Sequence, residues 1–206
     1  LEDGLEGLRV PRVAIERVRA HVVAERERRR AKMLAQLERV DLSEALARVE
    51  RVAKAASPRV TSYSTEAMSR RVRARAIVLG RGLDRAGTLY HPEHLHAVRI
   101  AGKKLRYALE VVTASGAADV AADLRTLKKA QERLGLLHDY QILLEHVAAV
   151  ADATPPGAPG AAGLKTLAGA YDRECRKLHA GYMKMAPALG VIAARLQDPR
   201  LLKRAR

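Results

Sequence analysis

The sequence predicts an all-α protein built from antiparallel helical bundles, and three observations carry that expectation. Apolar residues make up 48% of the 206 positions, so a sizeable core is possible. Aromatic residues make up only 3%, all of them Tyr, which leaves a core of Leu, Val, Ile and Ala suited to close helix packing. Ala, Leu, Arg and Glu, all good helix formers, dominate the chain, and no strand pattern competes anywhere.

The elements follow in order. Pro11, a favoured first-turn residue, opens a helical pattern that runs to about Val40, roughly 45 Å. Asp41 and Glu44 then have capping-box spacing, with Asp in place of Ser or Thr. Leu42, Leu46, Val49 and Ala53 line the next helix, which ends at Ser57-Pro58, and a connector runs through Ser64. Met68, Val72, Ala76, Leu79 and Leu83 mark a third helix, and Gly87 to His91 a turn. Pro92 opens the fourth helix, with the stripe Val98, Ala101, Leu105, Leu109 and Val112, and Ser115-Gly116 closes it.

Val120, Leu124, Leu127 and Leu134 mark a fifth helix. The run Leu134-Gly135-Leu136-Leu137-His138-Asp139 reads as its stop, with an N-cap for a sixth helix from Asp139 to Ala151. Thr154 to Gly163 is a loop rich in Pro, Gly and Ala. A seventh helix runs from Leu164 to about Met185, weakened or kinked by Pro187, and Leu201 to Arg206 is a frayed basic tail. Tyr63, Tyr171 and Tyr182 are expected to pack with their hydroxyls in water.

Charge narrows the function. Thirty-eight Lys and Arg against 23 Asp and Glu give a formal charge of +15, which points to a polyanionic partner: nucleic acid, an anionic membrane surface or polyphosphate. Cys175 is the only cysteine, which excludes an intrachain disulfide and a multi-Cys metal site. No signal peptide or membrane-length apolar run is visible, so a cytoplasmic protein that does not enter the membrane is expected.

The placement of the charge says more than its total. On a helical projection, His96, Arg99, Lys103 and Arg106 fall within about 80° of one another, opposite Leu105, and Lys104 and Tyr107 flank them. The first helix carries the stripe Ile15, Val18, Val22, Met33, Leu37 and Val40, interrupted in phase by Arg26 and Arg29, with Arg19 and Arg30 at its edge. Arg in a core phase is costly unless it is paired or meets water or a ligand. Either this helix projects into solvent in mid-course or the arginines line a polar cavity. Two such residues together favour the cavity. Arg matches phosphate oxygens with a planar fork of donors, Lys adds a point charge, and cations repeated along a rigid helix suit a linear polyanion. Lys128, Lys129, Arg133, Arg173 and Lys177 read better as solvated helix faces than as further binding residues.

The string from His96 to Glu110 resembles the hallmark helix of the CHAD domain, the conserved histidine α-helical domain, and Leu134 to Asp139 resembles that family's second landmark. The motif evidence covers about Met68 to Val147. The resemblance implies two four-helix-bundle repeats: residues 1–62 as the remainder of the first and 63–206 as the second, within a single domain over 1–206. It also implies binding of inorganic polyphosphate in a basic groove or pore, association with polyphosphate granules, and no turnover. His96, Arg99, Lys103 and Arg106 match the basic motif positions, and Lys104 and Tyr107 lie within the motif. Arg26, Arg29 and Arg30 match as part of a basic long helix. One departure stands out. His21 is followed by Val22 and Val23 and not by the family's Arg spacing, so the first repeat reads as incomplete at its N-terminus. The chain is then either a fragment or a divergent member with a more open groove.

Other chemistries find less support. His91, Glu93, His94 and His96 could offer metal ligands, but no second ligand cluster follows, and they read better as first-turn residues. His138-Asp139 as an acid–base dyad is outweighed by a helix-junction cap. There is no phosphate-binding Gly loop or nucleophile elbow, so no enzyme, cofactor or metal is expected. Nucleic-acid binding, or a role as a helical protein-interaction scaffold, are the alternatives. The near absence of stacking aromatics and of a recognition module speaks against the first.

Overall fold

A computed structural model of the chain describes residues 10–55, 61–114 and 120–198, with side chains described from 66 onward in the second stretch. Every regular element among these residues is an α-helix: α1 (Arg12–Leu37), α2 (Leu42–Ala55), α3 (Thr61–Ala86), α4 (Pro92–Ala114), α5 (Ala121–Asp152), α6 (Ala161–Met183) and α7 (Ala186–Arg195). The all-α expectation holds. The basic tail, Ser57-Pro58, Ser115-Gly116 and the Tyr63 side chain lie outside the described residues.

Local chemistry accounts for most boundaries. Pro11 caps α1 from an extended conformation. The Asp41 carboxylate accepts hydrogen bonds from the backbone N–H groups of Ser43 and Glu44, at 2.8 and 3.2 Å, satisfying two otherwise unpaired donors of α2. Gly87, at φ +55°, makes the turn out of α3, and Pro92 starts α4. Gly157 and Gly160, at φ +79° and +93°, shape the loop before α6.

Four boundaries differ from the sequence reading. Residues 61–64 are already helical and not connector. Leu134 to Asp139 neither stops nor caps a helix but lies inside the continuous 32-residue α5. Leu134 and Leu137, both buried, hold α5 through Gly135, whose intrinsic cost is only about 1 kcal/mol relative to Ala. The loop ends at Gly160, so α6 begins at Ala161, three residues before the expected start. Pro187 does not kink a helix; it sits in the first turn of α7, where its missing N–H costs nothing.

The chain divides into two compact units. One takes Thr61–Gln141 with residues from Asp172 onward. Its core is Val72, Ala76 and Leu79 of α3, Leu95, Val98, Ala101, Leu105, Leu109 and Val112 of α4, Leu127, Leu134 and Leu137 of α5, Tyr182 of α6, and Leu189 and Ile192 of α7. Tyr182 is buried and its phenol is pushed up by that burial, so its hydroxyl is not in water as expected. Tyr90, in the turn before α4, accepts a hydrogen bond from Gln141 Nε2 at 3.1 Å, and its phenol is pushed up to about 12, chiefly by burial. Buried Asp123 of α5 pairs with Arg195 of α7.

The other unit combines α1 and α2 with Ile142–Tyr171. Ala14 and Val18 of α1 are buried, as are Val147, Val150, Leu164, Leu167 and Tyr171. Gly163 lets α6 approach the start of α1 closely: a Cβ there would stand 2.8 Å from Ala14 Cβ and 2.9 Å from Pro11 Cδ. Beyond Val22 the apolar stripe of α1 emerges into solvent, and α2 is exposed throughout. Leu42, Leu46 and Val49 are 70%, 64% and 65% exposed, an apolar face that no described residue covers.

Candidate basic site on the fourth helix

The amphipathic pattern of α4 fixes the site. Leu95, Val98, Ala101, Leu105, Leu109 and Val112 are buried, which turns His96, Arg99, Lys103 and Arg106 to the opposite, solvent-accessible side. His96 and the turn-mate His94 diverge: His94 lies 4.9 Å from His91, whereas His96 packs on His138 of α5 at 4.6 Å. Among the described residues no three His, Cys, Asp or Glu converge as metal ligands would.

The His96–His138 contact reveals a wall that sequence reasoning missed. Where a Cβ would stand on Gly135, the nearest atom is Arg99 Nε at 4.0 Å. Arg99, Gly102, Gln131 and Leu134 line one narrow crevice. These pairs run in opposite directions along the two helices, so α4 and α5 are antiparallel here. The same register brings Gln131 level with Lys103, and exposed Lys128 level with Arg106. A signal for this was present in the sequence. Lys128, Gln131, Gly135 and His138 repeat the 3-4-3 spacing of His96, Arg99, Lys103 and Arg106, but an expected break at Gly135 hid it.

Several polar groups along this seam lack partners. Arg99 Nε, Arg106 Nε and Gln131 Oε1 are buried atoms with no hydrogen bond among the described residues. Arg106 donates to Glu110 at 2.7 Å, a carboxylate at the end of the basic stripe that partly neutralises it, and stacks on the Tyr107 ring at 4.7 Å. Lys103 lies over the same ring at 5.7 Å. Tyr107 therefore supports two cations, and Lys104 lies beyond it over a separate cleft against α3. Desolvation, then the neighbouring His138 and Arg99, hold His96 below the usual imidazole range.

The first-helix arginines have a different setting. Arg26, Arg29 and Arg30 are exposed on the part of α1 beyond Val22. Arg29 is held by Glu25 at 2.9 Å and Arg30 by Glu27 at 3.5 Å, within their own helix. They belong to the other unit.

The profile of the CHAD domain family matches residues 1–148, more than half of the chain. The chain belongs to the CHAD domain family. The match takes in α1 to α4 and most of α5, and so both the His96 helix and the Leu134 to Asp139 landmark. Searches of curated proteins and of solved structures returned no match. No described helix is long and apolar enough to cross a membrane.

Proposed function

We propose that this CHAD domain binds inorganic polyphosphate along the α4–α5 seam, without turning it over. The CHAD domain is associated with polyphosphate in general. The observation that carries the reading for this chain is the alignment of His96, Arg99, Lys103 and Arg106 on one accessible side of a rigid helix, with the Glu110 carboxylate paired to Arg106 at its end. Arg99 and Arg106 each keep an Nε–H donor without a hydrogen-bond partner among the described residues. Successive cations stand one helical turn apart, roughly 5 Å, a repeat that serves a chain of phosphates better than a single small anion.

His138, Gln131 and Lys128 join the site in this proposal, and Tyr107 stiffens Lys103 and Arg106. Arg26, Arg29 and Arg30 are proposed as a further anion-attracting surface. Two four-helix-bundle repeats and a place at polyphosphate granules in the cytoplasm belong to the same reading. Titration with long-chain polyphosphate at two salt concentrations tests it. Binding at low salt that weakens linearly on a logarithmic salt scale is the expected result. No binding at low salt, or displacement by DNA of equal charge as readily as by polyphosphate, would count against it.

A further inference from the structure

A second site stands on the flank of α4 that the phosphate seam does not use. Met68, Arg71 and Arg75 of α3 and Lys104, Tyr107, Ala108 and Val111 of α4 line an open cleft of about 420 Å³. That volume falls in the range of small-molecule pockets, about 300–1,000 Å³. Its apolar lining comes from Met68, Ala108, Val111 and Tyr107. Its cations are Arg71, Arg75 and Lys104, and none of the three has an acidic partner among the described residues.

These two features ask for different parts of one ligand. Three unneutralised cations around one cleft repel one another and favour an anion. An apolar floor gains nothing from an inorganic phosphate chain, which has no apolar surface to bury there. Among the described residues the lining offers no side-chain donor or acceptor apart from the cations and the Tyr107 hydroxyl, which suits a flat apolar body. We infer that the α3–α4 cleft binds an organic anion in which a flat, apolar or aromatic body carries a polyphosphate-like charge, as in a nucleoside triphosphate. The body packs between Met68, Val111 and Tyr107, and the phosphates meet Arg71, Arg75 and Lys104. Tyr107 is then shared: its ring carries Arg106 and Lys103 toward the seam and lines the cleft. This site is independent of the polyphosphate reading and stands or falls separately.

The test compares ATP with inorganic triphosphate, probes of closely similar charge, in metal-free buffer at fixed salt. Stacking and apolar burial of the base should make ATP bind about tenfold more tightly. Arg71→Ala, Arg75→Ala and Lys104→Ala together should abolish that preference. Because these side chains are exposed or half-buried, the variant should stay folded. His96→Ala, Arg99→Ala and Lys103→Ala together should weaken long-chain polyphosphate binding and keep the preference for ATP. Equal affinities for the two probes, no ATP binding, a preference that survives the cleft substitutions, or one lost with the seam substitutions would each overturn the assignment.

Discussion

Asp123 is 6% exposed and its partner Arg195 is 45% exposed, so losing one is not equivalent to losing the other. Burial raises the Asp123 carboxyl above its ordinary range, and Arg195 opposes that rise. Arg195→Ala leaves a buried carboxylate unpaired and should cost about 1–3 kcal/mol at neutral pH. Asp123→Asn leaves only a half-solvated cation and should cost less. A carboxyl raised in the folded state contributes stability below its unfolded value of about 4 and loses it as pH rises through the folded value. The Arg195→Ala deficit should therefore shrink as pH falls toward about 4, which chemical denaturation at several pH values measures. His96 runs the other way. Its imidazole is lowered, so its contribution to folding is present above the ordinary value of about 6.5 and is lost as pH falls through the folded value. Bound polyphosphate favours the imidazolium, so binding should take up protons and tighten as pH falls from about 7 to 6. Calorimetry in buffers of different ionisation heat reads that uptake, and His96→Gln should reduce it. The basic residues of α4 were legible because their phase against Leu105 is local. His138 and Gln131 were not, because their role depends on which helix lies beside α4.

At the scale of elements, two helical glycines make opposite predictions. A Cβ on Gly102 of α4 meets nothing within 4 Å, so Gly102→Ala should stabilise by about 0.5–1 kcal/mol through helix propensity. A Cβ on Gly163 of α6 presses into Ala14 and Pro11, so Gly163→Ala should destabilise by about 1–3 kcal/mol. Thermal unfolding of the two variants checks both signs. The buried stripes of α3 and α4 were readable from periodicity, and Asp41 from its capping spacing. Gly135 and Pro187 misled, each for a physical reason. A glycine costs too little to end a helix that Leu134 and Leu137 anchor, and a proline cannot show from sequence alone whether it interrupts a helix or begins one. The core-phase arginines of α1 were noticed, but phase alone could not separate a cavity from solvent.

At the scale of the whole molecule, the chain divides its labour between charge and packing. Leu105→Ala, in the core of one unit, should cost about 2–5 kcal/mol, whereas Leu46→Gln on the exposed face of α2 should stay within about 0.5 kcal/mol. Denaturant melts of the two variants test that contrast. Membership of the two units was the least legible feature, since Gly163 packing on Ala14 joins residues far apart in sequence and leaves no periodic trace. The polyphosphate reading rests on one basic seam and on family membership, and one measurement reaches it most directly. Polyphosphate affinity should be compared between the unaltered chain and a folded variant carrying Arg99→Ala, Lys103→Ala and Arg106→Ala. Affinity should fall at least about tenfold, and the logarithmic salt slope should drop by about 2–3, close to one for each cation removed. An unchanged affinity and slope in that folded variant would contradict the assignment of polyphosphate to the α4–α5 seam.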